Sequence, residues 1–176
     1  LEMIRREMRH AREGKPAHIM AKMNALVEEG VIRALYAASA AGVSIDLIVR
    51  GACALRPGVP GVSENIRVRS LLGRFLEHHR IWYFENDGDP EVWLASADWM
   101  GRNLFKRIEV AFPVRDPQLR KRVIDEGLRA YLADNQDAWE LGPSGSWSKA
   151  KPRRRARSRS AQTELLVRMQ APDGED

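Results

Sequence analysis

The chain has 176 residues, 44% of them hydrophobic and 30% charged, which fits one domain large enough for a single core and leaves no uncharged apolar run of about 18 residues to span a membrane. Its net charge of +5 is uneven: residues 1–147 carry 21 basic and 20 acidic side chains, residues 148–176 eight and four. The high pI therefore comes from a flexible, solvated basic run over 149–159 rather than from a basic body, and a specific nucleic-acid role is set aside. The single cysteine, Cys53, has no Cys or His at metal-site spacing; with no disulfide, no structural zinc and no signal-peptide pattern, the chain suits a reducing, cytoplasmic compartment.

Residues 1–13 read as a helix, with Leu1, Ile4 and Met8 at helical spacing, ended by Gly14 and Pro16. Residues 17–26 read as a strand. The stretch 28–41 sets Val31, Leu35 and Ala38 on one helical stripe, flanked by Ile32 and Tyr36, and Gly42 closes it as a left-handed cap. Residues 44–49 form a short β-rich apolar run. Strand, helix and strand in so short a span make a βαβ unit, and a run this apolar suits a parallel strand covered on both faces.

Arg50 and Gly51 follow that strand directly, where ligands bind in open parallel sheets. From Arg50 to Arg80 there are six arginines against two acids, Glu64 and Glu77, around the turn-rich Arg56-Pro57-Gly58-Val59-Pro60-Gly61. Such a local surplus of planar, permanently charged donors is what a polyanion-binding loop needs.

Residues 66–72 are compatible with a strand or a short helix. Residues 79–84 are a strand, Asn86-Asp87-Gly88 a turn, and 91–95 the returning strand, so the hairpin brings Ser96, Ala97 and Asp98 back to the His78 end, with Arg102 and Asn103 on a short helix beyond. His78 and Arg80 open the first of these strands two residues apart, on one face. This pairs a proton-transfer group with a fixed cation, equipment for handling phosphate. Residues 107–112 read as a further strand. Asp116 as N-cap and Pro117 at the first helical position start a long helix with Leu119, Val123, Leu128 and Leu132 inward. The Gly/Pro/Ser-rich stretch from Gly142 marks the domain end.

These residues carry a resemblance to bacterial polyphosphate kinases. The matching stretches are Ala21-Lys22-Met23-Asn24-Ala25-Leu26-Val27, Asp46-Leu47-Ile48-Val49-Arg50-Gly51, Leu55-Arg56-Pro57-Gly58, Ser63-Glu64-Asn65-Ile66-Arg67-Val68, Gly73-Arg74-Phe75-Leu76-Glu77-His78, Ala95-Ser96-Ala97-Asp98-Trp99-Met100 and Arg107-Ile108-Glu109-Val110. They stand in the family's order over most of residues 1–135, and jointly they are specific.

The resemblance implies an α/β, phospholipase-D-like domain over residues 1–141, with a mixed, mostly parallel central sheet flanked by helices, and a basic flexible tail over 142–176. It implies reversible transfer of the ATP γ-phosphate to inorganic polyphosphate at a site shared between two such domains, of which this chain resembles the second. The phosphohistidine, in a His-x-Lys setting, and the residues associated with magnesium belong to the first. No His-x-Lys occurs here, so the chain by itself is expected to be inactive. The family's second histidine falls on His78 and its nucleotide-contacting arginine on Arg50. Arg80 is expected to join them at phosphate, with His78-x-Arg80 and Ser96-x-Asp98 as a degenerate form of the superfamily's His-x-Lys motif. ATP, polyphosphate and the remaining kinase domains are the implied partners; homo-oligomerisation is left open, and any membrane contact is expected to be peripheral. Two other functions are weighed: a phospholipase-D-like phosphodiesterase, which needs the missing His-x-Lys, and a non-catalytic polyanion-binding module.

Overall fold

The computed structural model describes residues 1–152 and 157–170. After helix α1 (Glu2–Arg12) come β1 (His18–Met23), α2 (Glu29–Ala40), β2 (Ser44–Val49), β3 (Ile66–Leu71), β4 (Arg80–Phe84), β5 (Glu91–Ala95), α3 (Gly101–Lys106) and β6 (Ala111–Pro113). Helix α4 (Pro117–Ile124) then runs through a π-helical stretch, Asp125–Arg129, into α5 (Ala130–Leu132), and β7 (Ala138–Leu141), β8 (Trp147–Lys149) and α6 (Ala161–Gln170) follow.

One eight-stranded sheet has the order β6-β5-β4-β1-β2-β3-β7-β8. Successive residues of β1 serve opposite faces. Ile19, Ala21 and Met23 pack under α1 and α2 with Leu35, Ile45 and Leu47, while Met20 joins Ile48, Ile81, Leu128 and Tyr131 on the side of α4 and α5. The α/β class and the βαβ unit stand, with β1 and β2 parallel.

Parallel pairing is the minority arrangement, a correction to the expected mostly parallel sheet. Among the strands of the described residues, only β1–β2 and β2–β3 run parallel, and the other five strand pairings are antiparallel. The connections explain this for the two hairpins: β4–β5 and β7–β8 are joined by turns too short for a crossover. Residues 66–71, ambiguous in sequence, form β3.

Several local readings change. The strand expected over 107–112 pairs only from Ala111 to Pro113, because its partner β5 ends at Ala95, and Ile108 stands fully in solvent. Asp116 caps α4 through Leu119 N–H at 2.8 Å, as expected. Leu119 is nevertheless exposed while Leu128 is buried: Leu128 reaches the closed core, whereas Leu119 lines an open groove with Phe112, Val123 and Met169.

Gly142 does not end the structure. It begins the turn between β7 and β8, donating to the Ser146 carbonyl at 2.9 Å, and α6 buries Ala161 against the α4–α5 side of the sheet. Within the basic run, residues 153–156 lie outside the described residues, as do 171–176, so the flexibility expected for those parts lies outside them too.

Candidate active site

Strands β1 and β2 end side by side, Met23 opposite Val49. The chains continue in step, Arg50 N–H donating to the Met23 carbonyl at 3.1 Å and Gly51 N–H to the Asn24 carbonyl at 2.8 Å. On the other side of β1, Lys22 faces Ile81 of antiparallel β4, and Arg80 faces Ala95 of β5. The segments after β1, β2 and β5 and the one before β4 therefore meet at the carboxyl edge of the parallel strands, the usual ligand position in such sheets.

Asp98 stitches this edge together. Its Oδ1 accepts from Asn24 N–H at 2.7 Å, Ala25 N–H at 3.3 Å and Arg80 Nε at 3.1 Å, and its Oδ2 from Arg80 Nη2 at 2.8 Å. Arg80 is 8% and Asp98 5% exposed. Burial works against the Asp98 charge, but the Arg80 guanidinium and the two backbone N–H groups outweigh it and hold the carboxyl below its ordinary range.

Arg80 Nη1 donates to the His78 carbonyl at 2.7 Å. The edge of the His78 ring lies against the same guanidinium, Nδ1 3.0 Å from Nη1 and Nε2 3.3 Å from Nη2. A neutral imidazole has one acceptor nitrogen, so one of these contacts is the hydrogen bond and sets the tautomer. His78 as a residue is exposed. The hairpin thus brings Asp98 to the His78 end as expected. The geometry expected of Arg80 differs: its fork is closed on a buried carboxylate and its neighbour, instead of being open toward an anion from solvent.

Arg50 is half-buried, and among the described residues its guanidinium has no hydrogen-bond or ion-pair partner. The arginine surplus divides accordingly. Arg67 pairs with Asp46 at 2.7 Å, and Arg69 donates to the carbonyls of Tyr131, Leu132 and Asp134 at 2.6–3.2 Å, so these two, like Arg80, serve the fold. Arg74 lies 5.5 Å from the Phe75 ring centroid.

Ser96 is exposed and bonds Glu109, whose other oxygen accepts from Asn103 Nδ2 at 2.5 Å. Arg102 is exposed on α3.

Lys22 and Glu77 escaped the sequence reading. Lys22 Nζ is ion-paired with Glu77 and lies 3.0 Å above the Tyr131 ring. Burial pulls its ammonium down to about 8 against the opposing pull of Glu77. The available signal is a lysine inside the apolar run 19–23 of β1, since a buried ammonium requires a partner.

Among the described residues no three His, Cys, Asp or Glu side chains gather as a metal-binding group. The acids nearest the edge are engaged, Asp98 by Arg80, Glu77 by Lys22 and Glu109 by Ser96 and Asn103, so the donor set does not fit a magnesium site. No helix of the described residues is long and apolar enough to cross a membrane.

The family profile described as Polyphosphate kinase C-terminal domain 2 matches residues 1–162. Similar relatives include the polyphosphate kinase of Burkholderia multivorans, 60% identical over 170 residues, 96% of this chain and 24% of the relative. That of Xylella fastidiosa is 58% identical over 93% of this chain and 23% of the relative. The crystal structure of polyphosphate kinase from Porphyromonas gingivalis superposes with a TM-score of 0.90 at 45% identity, covering 96% of this chain and 26% of that one. The chain spans about a quarter of the length of the relatives it matches. With the match covering nearly all of the sheet and its edge, the chain belongs to the polyphosphate kinase C-terminal domain 2 family.

Proposed function

We propose that this chain is the second C-terminal catalytic domain of a cytoplasmic polyphosphate kinase, which moves the γ-phosphate reversibly between ATP and inorganic polyphosphate through a phosphohistidine on another domain. The observation that carries the reading is the charge arrangement at the carboxyl edge. Arg50 offers a guanidinium without a partner among the described residues, His78 stands exposed, and Asp98, Glu77 and Glu109 are each engaged by donors. An edge with a free cation and occupied acids favours a polyanion.

Phosphoryl transfer passes through a loose transition state with charge on the equatorial and leaving oxygens, so the protein's work is positioning and electrostatic stabilisation. Arg50 takes two phosphate oxygens through its planar fork. His78 donates a hydrogen bond to the transferring group or exchanges a proton with it. Arg80, held by Asp98, fixes the His78 carbonyl and ring and does not itself meet phosphate. Magnesium is assigned to ligands on other domains, and no step at these residues uses it. The partners in this reading are ATP, polyphosphate and the remaining kinase domains.

The test is a polyphosphate kinase carrying this chain in its family position, assayed for polyphosphate made from ATP. His78→Ala is expected to abolish turnover with the fold intact by circular dichroism, and the 176-residue chain alone to make none. Undiminished turnover in His78→Ala removes His78 from the mechanism, and synthesis by the chain alone removes the need for a second domain.

A further inference from the structure

Residues 72–79, between β3 and β4, belong to no strand, and all but Glu77 are exposed. Among the described residues, the main-chain groups of this loop are hydrogen-bonded by two side chains. Arg80 takes the His78 carbonyl. Gln162, on α6, grips Phe75 at both ends of its backbone: Phe75 N–H donates to Oε1 at 2.9 Å, and Nε2 donates to the Phe75 carbonyl at 2.9 Å.

The same Gln162 amide donates to Glu77 Oε1 at 2.9 Å. Glu77 also accepts from the Tyr131 hydroxyl at 2.7 Å and is ion-paired with Lys22 of β1. The residue before His78 is thus fixed from the sheet, from α5 and from α6.

Gln162 is itself placed by the body of the domain. Asp134, 2% exposed, accepts from Ala138 N–H at 3.0 Å through Oδ1 and from Ala161 N–H at 2.7 Å through Oδ2. One buried carboxylate therefore seats the start of α6 on the start of β7. The loop has adapted to it: a Cβ on Gly73 would lie 2.4 Å from Gln162 Oε1, a contact real side chains do not make.

We propose that Glu77 and Gln162 are positioning residues for His78, and that α6, which lies beyond the domain end suggested by the sequence, braces the loop that presents the histidine. His78 is then clamped from both sides, by Arg80 and Asp98 after it and by Gln162 through Phe75 and Glu77 before it. Phosphoryl transfer is steep in geometry, so a loop that samples other positions keeps substrate binding through Arg50 and loses turnover.

The kinetic side rests on the polyphosphate kinase reading; the structural side does not, and the experiment has an arm for each. In this 176-residue chain, Gln162→Ala is expected to raise amide hydrogen exchange at Phe75, the loop N–H that Gln162 accepts, about tenfold, the loss of roughly one net hydrogen bond, while β1 and β2 keep their protection. Val167→Ala, on an exposed turn of the same helix, is expected to change nothing. Unchanged Phe75 exchange in Gln162→Ala overturns the brace.

In the polyphosphate kinase carrying the chain, Gln162→Ala is expected to lower kcat with KM for ATP nearly unchanged, and to add no further loss when combined with His78→Ala. A raised KM at unchanged kcat, or a Gln162→Ala effect that persists in full without His78, overturns the positioning role. Wild-type enzyme that makes no polyphosphate from ATP would instead sink the functional reading, and the exchange result would stand by itself.

Discussion

Arg80 and Asp98 meet in a two-pronged ion pair, Nη2 2.8 Å from Oδ2 and Nε 3.1 Å from Oδ1, with both side chains less than a tenth exposed. The pair joins the start of β4 to the segment after β5, and through Asn24 and Ala25 to the segment after β1.

Removing one partner of a buried pair leaves the other charged and dry, so Asp98→Ala is expected to cost about 3–5 kcal/mol of stability. Two backbone N–H groups also lose their acceptor. Urea denaturation checks it: the midpoint falls sharply, and a midpoint within error of wild type would mean that Arg80 has found another acceptor. Arg80→Lys is not a rescue, because a single ammonium cannot reproduce the fork.

Arg50 contrasts with this pair. With no partner among the described residues, its guanidinium contributes little to the fold, and Arg50→Ala is expected to shift stability by no more than about 0.5 kcal/mol. Its loss should appear in ligand affinity. If the proposed function holds, a charge-assisted contact of about 1.5–3 kcal/mol corresponds to roughly a ten- to hundredfold rise in KM for ATP in the full-length kinase carrying the chain. Arg50→Lys keeps the charge without the fork and should fall between. Thermal melts and steady-state kinetics on the same preparations separate the two effects.

Acid sensitivity has an identifiable contributor in Asp46. Burial alone would raise its carboxyl, but His18 Nε2 at 2.8 Å and Arg67 Nε at 2.7 Å reverse this and hold it at about 2. An aspartate in an unfolded chain titrates near ~3.9. Because the folded value is the lower one, the stabilisation is present above ~3.9 and is lost as pH falls toward the folded value of about 2. Allowing for solvent screening of the exposed Arg67, it amounts to on the order of 1 kcal/mol. The stability difference between wild type and Asp46→Asn, followed from pH 6 to pH 2, should shrink through that window; a difference that stays constant would remove Asp46 from the acid transition.

The parts legible in the sequence are those written in local period and spacing. The stripe Val31, Leu35 and Ala38 and the apolar run of β2 define the βαβ unit, from which Arg50 at a strand's end follows, while Asp98 at the end of a returning hairpin follows from the Asn86-Asp87-Gly88 turn. The brace was hidden because it is long-range: Lys22 and Glu77 are 55 residues apart and Gln162 and Glu77 are 85 apart, and neither sits in a spacing that periodicity can report. The closed geometry of Arg80 is illegible in the sequence for a related reason. Its position beside His78 is local, but which acceptor closes its fork depends on where β5 returns. A mostly parallel sheet extends one βαβ unit to a chain whose hairpins β4–β5 and β7–β8 have connections too short to cross over.

Gly73 offers a test of the brace from the loop side. No positive φ is involved there, so alanine is allowed by the backbone and should slightly favour folding by restricting the unfolded chain. The obstacle is Gln162, whose Oε1 and Cδ would lie 2.4 Å and 2.8 Å from the new Cβ. Either the glutamine amide or the loop must move, and in both cases the paired hydrogen bonds to Phe75 are weakened. Gly73→Ala is therefore expected to reproduce the raised Phe75 exchange of Gln162→Ala and, if the proposed function holds, its lowered kcat in the full-length kinase, with a stability loss of about 1 kcal/mol. Gln162→Ala should relieve that clash. The double variant is then expected to be no less stable than Gly73→Ala alone, a coupling that two independent losses would not give. Additive losses in urea denaturation would mean that the loop and α6 are not in contact through this pair, and the brace would have to be abandoned.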